Sequence, residues 1–208
     1  MAGSDTERVR EHYEKTASGY DRQIGFFERI LFGDGREWVC AQASGDVLEI
    51  AVGTGRNLPF YPSGVKLTGI ELSPAMLAIA QERARASELE PDFRQGDAQQ
   101  LDFPDDSFDT VVCTLALCTI PDHGAAVAEV MRVLRPGGRF LLLEHVRSPV
   151  APVRAGQRIL EPLFLRFEAD HLTREPLEQL HAESFEVEGL ERSKAGIVER
   201  VVARKPLS

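Results

Sequence analysis

The amino-acid sequence predicts an α/β protein in which helices cover both faces of a mostly parallel β-sheet. From residue 46 onward, short apolar runs alternate with segments of helical pattern. The runs are almost continuously apolar, as in strands that are buried on both faces. After the fifth run the alternation ends, and the chain closes with two strand-like segments joined by a short turn. This ending predicts an antiparallel strand at one edge of the sheet.

The elements can be predicted in chain order. Helices are expected over 5–18 and 24–42, with two glycines interrupting the second. Ser73 and Pro74 mark the start of a core helix, as its N-cap and first helical residue. Another helix, HGAAVAEVMRVLRPGG, is expected to stop at Pro136. The apolar runs supply five strands, DVLEIA, KLTGIE, PDFRQ, FDTVVCTLAL and RFLLLE. The segments SFEVEGLERS and GIVERVVARKP supply two more.

Composition excludes some classes of protein. The formal net charge is -9, which argues against a nucleic-acid partner, since such binding depends on Lys and Arg neutralising phosphates. No segment approaches the roughly 18 consecutive apolar residues of a membrane helix, and the charged N-terminal residues do not resemble a signal peptide. The three cysteines lack metal-finger spacing. We therefore expect a cytoplasmic protein without a bound metal.

The residues that could bind a ligand or take part in a reaction fall at the predicted carboxyl ends of the strands, where parallel sheets bind ligands. Gly53 and Gly55 follow the first strand, but the third glycine of a dinucleotide-binding loop is absent. Glu71 ends the second strand, where a carboxylate can accept both hydroxyls of a ribose. Asp97 follows the third strand, where it can accept from an adenine amino group. Acidic side chains at these positions, in the absence of a phosphate-binding loop, favour a ligand that has ribose, adenine and a positive charge. S-adenosyl-L-methionine is such a ligand.

The motifs that carry this interpretation also carry a family resemblance. They are YDR, LEIAVGTGRN, GIELSPAML, GDAQQLDFPDDSFDTVV and EVMRVLRPGGRFLLLEH. In this order and spacing, the chain resembles class I S-adenosylmethionine-dependent methyltransferases, of the group that includes ubiquinone- and menaquinone-biosynthesis enzymes. VVCTLALCTI, LLLEHV and HLTREPLEQL are similar to thiol S-methyltransferases and to bacterial phosphatidylethanolamine N-methyltransferases. The resemblance implies a Rossmann-like, seven-stranded sheet.

The resemblance also implies a division of the chain and a set of cofactor-binding residues. One methyltransferase domain, 1–208, would comprise N-terminal lid helices (1–44), a cofactor-binding core (45–145), a helical insert that covers the acceptor (146–183) and a terminal strand pair (184–208). The residues implied for S-adenosylmethionine are Tyr20, Glu49, Ala51, Gly53, Thr54, Gly55, Asn57, Glu71, Leu72, Met76, Asp97, Ala98, Thr114 and Leu115.

Several of these residues have expected roles. Glu49 would order the glycine turn and offset the cofactor's ammonium group, and Tyr20 would close over the cofactor from the lid. One position departs from the family pattern, since Ala51 stands where the first glycine of the tract is usual. Its methyl group should be tolerated if its φ is negative.

The acceptor is expected to be a small apolar molecule of thiol, phenol or quinone type. His145 follows the fifth strand and is the candidate general base, because its unperturbed pKa of about 6.5 leaves it mostly neutral at pH 7. A structural histidine bonded to nearby backbone is an equal alternative. Apolar side chains from both lid segments would line the acceptor pocket: Phe26, Phe27, Leu31, Phe32, Phe164, Leu165 and Phe167. Plain packing of the lid helices explains them equally well.

Other functions stay open at this point. They are methylation of a phosphatidylethanolamine headgroup, a catalytically silent domain that binds S-adenosylmethionine, and a nicotinamide-dependent dehydrogenase, which the missing third glycine disfavours. A membrane-surface partner is not favoured, because residues 5–18 carry nearly balanced charge rather than a basic face. The oligomeric state is left open.

Overall fold

The computed structural model describes residues 2–167 and 169–207, without the side chains of residues 2–4 and Phe26. Its first half consists of α1 (Ala2–Leu31), α2 (Gly35–Cys40), β1 (Asp46–Ile50), a 3₁₀ turn (Leu58–Phe60), β2 (Lys66–Glu71), α3 (Pro74–Ala84) and β3 (Asp92–Gln95). The second half consists of β4 (Phe108–Thr114), α4 (His123–Val133), β5 (Leu134–His145), α5 (Ala151–Phe167), α6 (Pro176–Ala182), β6 (Glu186–Ser193) and β7 (Val198–Arg204).

Within the described residues, seven strands form one sheet in the order β3-β2-β1-β4-β5-β7-β6. β1 to β5 pair in parallel, and β7 runs antiparallel to both of its neighbours, β5 and β6. The predicted mixed sheet is therefore confirmed, with its antiparallel strand one place in from the edge. Strand order reverses between β1 and β4, which places the expected ligand crevice at their carboxyl ends.

Apolar clusters cover both faces of the sheet. One cluster packs α4 and α6 against the sheet and includes Val127, Leu180 and Phe140. The other joins α2 and α3 to the opposite face and includes Val39 and Leu77. Because β1, β2, β4, β5 and β7 each contribute side chains to both clusters, these strands are largely apolar, as their sequences predict.

The N-terminal helices and α4 differ from the prediction. α1 continues through Gly19 and Gly25 to Leu31, since each glycine inside a helix costs only about 1 kcal/mol. The chain breaks at Gly33, one of the two glycines expected to interrupt the second helix, where a φ of +55° ends α1 in a left-handed turn. α4 ends at Val133 rather than at Pro136, because Leu134 is already extended and pairs with Phe108.

α1 is held over the carboxyl ends of the strands by polar contacts. Glu14 accepts hydrogen bonds from Ser73 Oγ at 2.9 Å and from Ala75 N at 3.1 Å, which tie the helix to the start of α3. Two turns later, Asp21 accepts from Thr54 Oγ1 at 2.6 Å and from Arg83 Nη2 at 2.5 Å. α1 thus covers the crevice between β1 and β4, where the strand order reverses.

Candidate active site

A cavity with an empty volume of about 810 Å³, including its open mouth, lies between α1 and the carboxyl ends of β1, β2 and β4. This size suits a small-molecule site. Its lining includes eleven of the expected cofactor residues: Tyr20, Ala51, Gly53, Thr54, Glu71, Leu72, Met76, Asp97, Ala98, Thr114 and Leu115. It also includes residues that the sequence did not indicate: Val9, Arg10, Tyr13, Arg36, Val52, Arg56, Ser73, Gly96, Gln99, Ala116, Thr119, Ile120 and Pro121.

The two glycines after β1 have different tasks. Gly53 has a φ of +59°, and a Cβ built there would meet nothing within 4 Å, so its backbone borders open space. Gly55 has a φ of +77°, and a Cβ there would lie 3.2 Å from Ala80 Cα in helix α3. Gly53 therefore leaves room for a ligand, while Gly55 allows close packing of the turn on α3. Gly55 itself does not line the cavity.

The backbone of Ala51 differs from the expectation that a negative φ would accommodate its methyl group. Its φ is +54°, in the left-handed region rather than below zero. For a residue with a Cβ, this conformation costs roughly 1–2 kcal/mol. Since the first glycine of the tract is replaced here, the turn holds Ala51 in a conformation that glycine would adopt without strain.

Glu71 connects the glycine turn to the start of α3. Its Oε2 accepts from Gly53 N and its Oε1 from Ser73 N, each at 2.9 Å. Burial raises the pKa of the Glu71 carboxyl, and the two amides partly oppose this rise. Each carboxylate oxygen retains a further lone pair that can accept from a ligand hydroxyl.

The far side of the cavity is formed by the turn after β3. Asp97 Oδ1 accepts from the backbone of Gln99 at 2.9 Å, and the Gln99 side chain donates to both Asp97 oxygens. Ala98 is buried beside them, and Leu72 and Met76 line the same cavity. A carboxylate beside small apolar side chains can recognise a flat ring with an amino group at its edge.

Glu49 and Asn57 lie behind the cavity wall rather than on it. Glu49 Oε1 accepts from Asn57 Nδ2 at 2.9 Å and Oε2 accepts from Tyr61 Oη at 2.8 Å. Burial raises the pKa of Glu49 to about 7, against the hydrogen bonds of Tyr61 and Asn57 and the charge of Arg36. Its contacts order the turn through Asn57, and it makes no direct approach to the cavity.

Arg36 is the main cavity residue that the sequence analysis missed. Its Nη1 donates to Asn57 Oδ1 at 2.8 Å and to Thr114 Oγ1 at 2.9 Å. Its other guanidinium nitrogens donate to Glu28, which also accepts from Arg56 Nη2 at 2.7 Å. In the sequence, only its position pointed to this role: Arg36 lies in the short segment GREWVC, which also holds the buried Val39 and Cys40. A guanidinium at this wall suits a ligand carboxylate.

The exit of β4 is shaped by a buried acid from β5. Glu144 Oε1 accepts from the backbone amides of Ala116 and Leu117, each at 2.8 Å. These bonds hold the turn in which Leu115 adopts a φ of +56°. Leu115 and Ala116 line the cavity next to Thr114. Glu144 therefore fixes the turn at the end of β4, next to the cavity.

The outer end of the cavity contains tyrosines rather than phenylalanines. The rings of Tyr13 and Tyr20, both from α1, meet edge to face with centroids 6.1 Å apart. None of the expected apolar side chains lines the cavity among those described. Phe27 and Phe167 are exposed and Phe32 packs in the core, while the side chain of Phe26 lies outside the described residues. Among these three phenylalanines, packing therefore accounts for Phe32 and not for the exposed Phe27 and Phe167. Val9, Ile120 and Pro121 supply the apolar lining of the cavity.

His145 lies beside this outer end without lining the cavity. Its Nε2 is 3.0 Å from Asp170 Oδ1, which belongs to the segment after α5. Burial opposes the charge on His145, but the Asp170 carboxylate outweighs it and the pKa of His145 is raised. Cys118 Sγ lies within 4.8 Å of both groups.

Comparisons with known proteins agree with this geometry. A model described as "Methyltransferase domain" matches residues 48–142. A thiol S-methyltransferase of Homo sapiens is 34% identical over 173 residues, covering 80% of this chain and 70% of that protein. A phosphatidylethanolamine N-methyltransferase of Cereibacter sphaeroides is 42% identical over 118 residues, 56% of this chain and 58% of that protein.

Two further comparisons extend the set. A demethylmenaquinone methyltransferase of Deinococcus radiodurans is 35% identical over 149 residues, covering 66% of this chain and 60% of that protein. Two of these three relatives are thus spanned over less than two thirds of their length. The crystal structure of an S-adenosylmethionine-dependent methyltransferase from Thermotoga maritima matches with a TM-score of 0.73 at 21% identity, covering 94% of this chain and 99% of that chain.

The fold is that of a Rossmann-like enzyme, and its cavity lies at the carboxyl ends of parallel strands. The chain belongs to the class I S-adenosylmethionine-dependent methyltransferases. Its cofactor is S-adenosyl-L-methionine, and the open space at Gly53, together with acids and no phosphate cradle, fits that molecule. In the part of the chain that the structure describes, every helix is too short or too polar to cross a lipid bilayer.

Proposed function

We propose that the enzyme transfers the methyl group to a small acceptor with an apolar body, of thiol, phenol or quinone type. The observation that supports this most is the continuity of the cavity. Its polar part, at the ends of β1 and β2, leads past Leu115 to an outer part lined by Val9, Tyr13, Ile120 and Pro121. A nucleophilic atom on an apolar body suits that outer part.

We assign cofactor roles by the placement of the side chains. Glu71 would hold the ribose hydroxyls, Asp97 and Ala98 the adenine edge, and Arg36 the methionine carboxylate. Glu49 would act through Asn57, by fixing the turn. When bound, S-adenosylmethionine supplies a methyl group on a positively charged sulfur, which is already activated for displacement. The protein's principal contribution is then orientation of the acceptor, a type of effect that can lower a barrier by about 7–11 kcal/mol.

His145 remains the proposed base, in a pair with Asp170. Asp170 stabilises the imidazolium form, as the carboxylate partner of a catalytic histidine does. The position of the pair is supported by Thr119, which lines the cavity and follows Cys118 directly in the chain. Because the pKa of His145 is raised, the neutral base becomes more abundant as pH increases, and the rate is expected to rise through neutral pH.

The test is methyl transfer to an alkyl thiol and to an aryl thiol, followed by release of S-adenosylhomocysteine. An alkyl thiol is mostly protonated at pH 7 and needs a base, whereas a more acidic aryl thiol does not. His145→Gln should lower kcat for the alkyl thiol by about 10²-fold or more and change the aryl rate much less. An equal loss on both thiols would contradict a base role, and turnover of neither by the wild type would contradict the thiol assignment.

A phospholipid headgroup amine is the second candidate acceptor. The relative from Cereibacter sphaeroides, 42% identical over 118 residues, favours it. Product formation on phosphatidylethanolamine vesicles, with none on thiols, phenols or quinols in solution, would establish this alternative.

A further inference from the structure

Helix α5 exposes its apolar side chains. Relative exposure is 78% for Ile159, 48% for Leu160, 53% for Leu163 and 59% for Phe167. Ile159, Leu163 and Phe167 are spaced four residues apart, and Leu160 lies beside them, so the four form a stripe along one side of the helix. We call these four residues the α5 stripe. A helix that packs on a core normally turns such a stripe inward.

The most deeply buried side chain of α5 is polar. Gln157 is the buried side chain of the helix, and its Nε2 donates to Val146 O at 2.9 Å and to Leu172 O at 3.0 Å. Its Oε1 accepts from Ser148 N at 2.8 Å, and Glu161 accepts from Thr173 Oγ1 at 2.7 Å. Polar contacts therefore help to hold the helix to the body of the protein, while the α5 stripe faces solvent.

The charge of α5 indicates what that contact is. The helix carries three arginines, Arg154, Arg158 and Arg166, and one glutamate, Glu161, so its net charge is 3 − 1 = +2, whereas the whole chain carries -9. Arg158 and Arg166 are exposed, and the Arg166 guanidinium lies 5.8 Å from the centre of the Phe167 ring. Arginines beside an apolar stripe are typical of helices that lie in a lipid–water interface.

We propose that α5 docks the enzyme on the surface of an anionic lipid bilayer. The α5 stripe enters the boundary between head groups and acyl chains, and Arg158 and Arg166 contact lipid phosphates. This differs from the expectation drawn from residues 5–18, which concerned another helix. A second copy of the chain suits the stripe less well, since two helices of charge +2 would then face each other.

The placement of α5 also concerns the acceptor. The segment after α5 contacts the outer end of the cavity, where His171 N donates to Cys118 O at 3.1 Å and the Arg174 guanidinium donates to the carbonyls of Leu117 and Ile120. A docked enzyme can therefore receive an apolar acceptor that is dissolved in the bilayer. This consequence rests on the proposed function, whereas lipid binding itself does not.

The test is sedimentation of the full chain with phosphatidylcholine vesicles, with and without phosphatidylglycerol. The wild type should bind the anionic vesicles and bind the neutral ones less. Ile159→Ser with Leu163→Ser should weaken binding at least about tenfold, because two aliphatic side chains lose their burial in lipid. Arg158→Gln and Arg166→Gln should each weaken binding to anionic vesicles about fivefold.

Leu190→Ser and Leu207→Ser are matched controls, because both leucines are exposed and lie outside α5, with exposures of 47% and 78%. Calorimetry with S-adenosylmethionine shows that each variant is folded, and it measures the Kd of the cofactor in the absence of lipid. No binding of the wild type to anionic vesicles, or an equal loss in the controls, would overturn the proposal. A dimer that only the stripe variant dissociates would assign the stripe to a second copy instead.

Discussion

The two ends of the cavity are built in different ways. The proposed cofactor end consists mainly of turns that directly follow β1, β2 and β3, with Arg36 added from α2. Its acids bond to nearby backbone amides, as Glu71 does to Gly53 and Ser73. The acceptor end is made of segments far apart in the chain. Tyr13 comes from α1, Ile120 from the exit of β4, and Asp170 from the segment after α5.

This difference explains how far each end can vary. Sheet pairing fixes the position of every strand end, so the cofactor residues hold their geometry through short, local contacts. The acceptor residues depend on how a helical roof and an insert pack on the sheet. Substitutions at the cofactor end should therefore change the affinity for S-adenosylmethionine, and substitutions at the acceptor end should change turnover and acceptor use.

The largest effect is expected for Glu71→Ala. This change removes the acceptor of two backbone amides and the proposed partner of the ribose. A charged hydrogen bond contributes about 1.5–3 kcal/mol, so the Kd for S-adenosylmethionine should rise about 10²-fold or more. Isothermal titration calorimetry measures it, with Glu88→Ala, an exposed acid between α3 and β3, as the control. An unchanged Kd would place the cofactor elsewhere.

A smaller effect, on stability rather than affinity, is expected at Glu49. Its pKa is about 7 in the folded protein and 4.5 without the fold, so the native state binds the proton more tightly. The contribution of Glu49 to the unfolding free energy should therefore fall as pH rises from about 4.5 to about 7, by up to about 3 kcal/mol, and then level off. Urea unfolding of the wild type and of Glu49→Gln across this range isolates that contribution, because the other carboxyls titrate alike in both proteins. A difference in unfolding free energy between the two that does not change with pH would contradict the assignment.

The smallest effect is expected for Ala51→Gly. Glycine adopts the φ of +54° without strain, although it also loses more conformational freedom on folding. The unfolding free energy should rise by about 0.5–1 kcal/mol. Ala78→Gly is the matched control, since Ala78 is exposed inside α3 and the same change there should cost about 1 kcal/mol. Destabilisation of both variants would show that the turn imposes no strain at Ala51.

The sequence predicted the sheet, and it indicated eleven residues that line the cavity, because both depend on local patterns. The apolar runs fixed β1 to β5, and Glu71 and Asp97 could be located from their distance to a strand end. Arg36 and Tyr13 could not be located in this way. Each reaches the cavity from a helix whose packing on the sheet decides which side chains face inward, and no local pattern records that packing.

The phenylalanines show the same limit from the other direction. Phe32 and Phe167 have the same apolar side chain, yet Phe32 packs in the core and Phe167 is exposed on α5. His145 was located correctly at the end of β5, but its pairing with Asp170 joins residues 25 positions apart. Such a pairing follows from the fold of the insert, which has no repeated pattern in the sequence.

The most direct test of the two-ended site is a comparison of initial rates on an alkyl thiol for the wild type, Glu71→Ala and Asp170→Asn. Glu71→Ala should raise the KM for S-adenosylmethionine and leave the KM for the thiol nearly unchanged. Asp170→Asn should lower kcat, by weakening the His145 base, and leave the Kd for S-adenosylmethionine unchanged in calorimetry. If both variants altered the same parameter to the same extent, the division into a cofactor end and an acceptor end would be wrong.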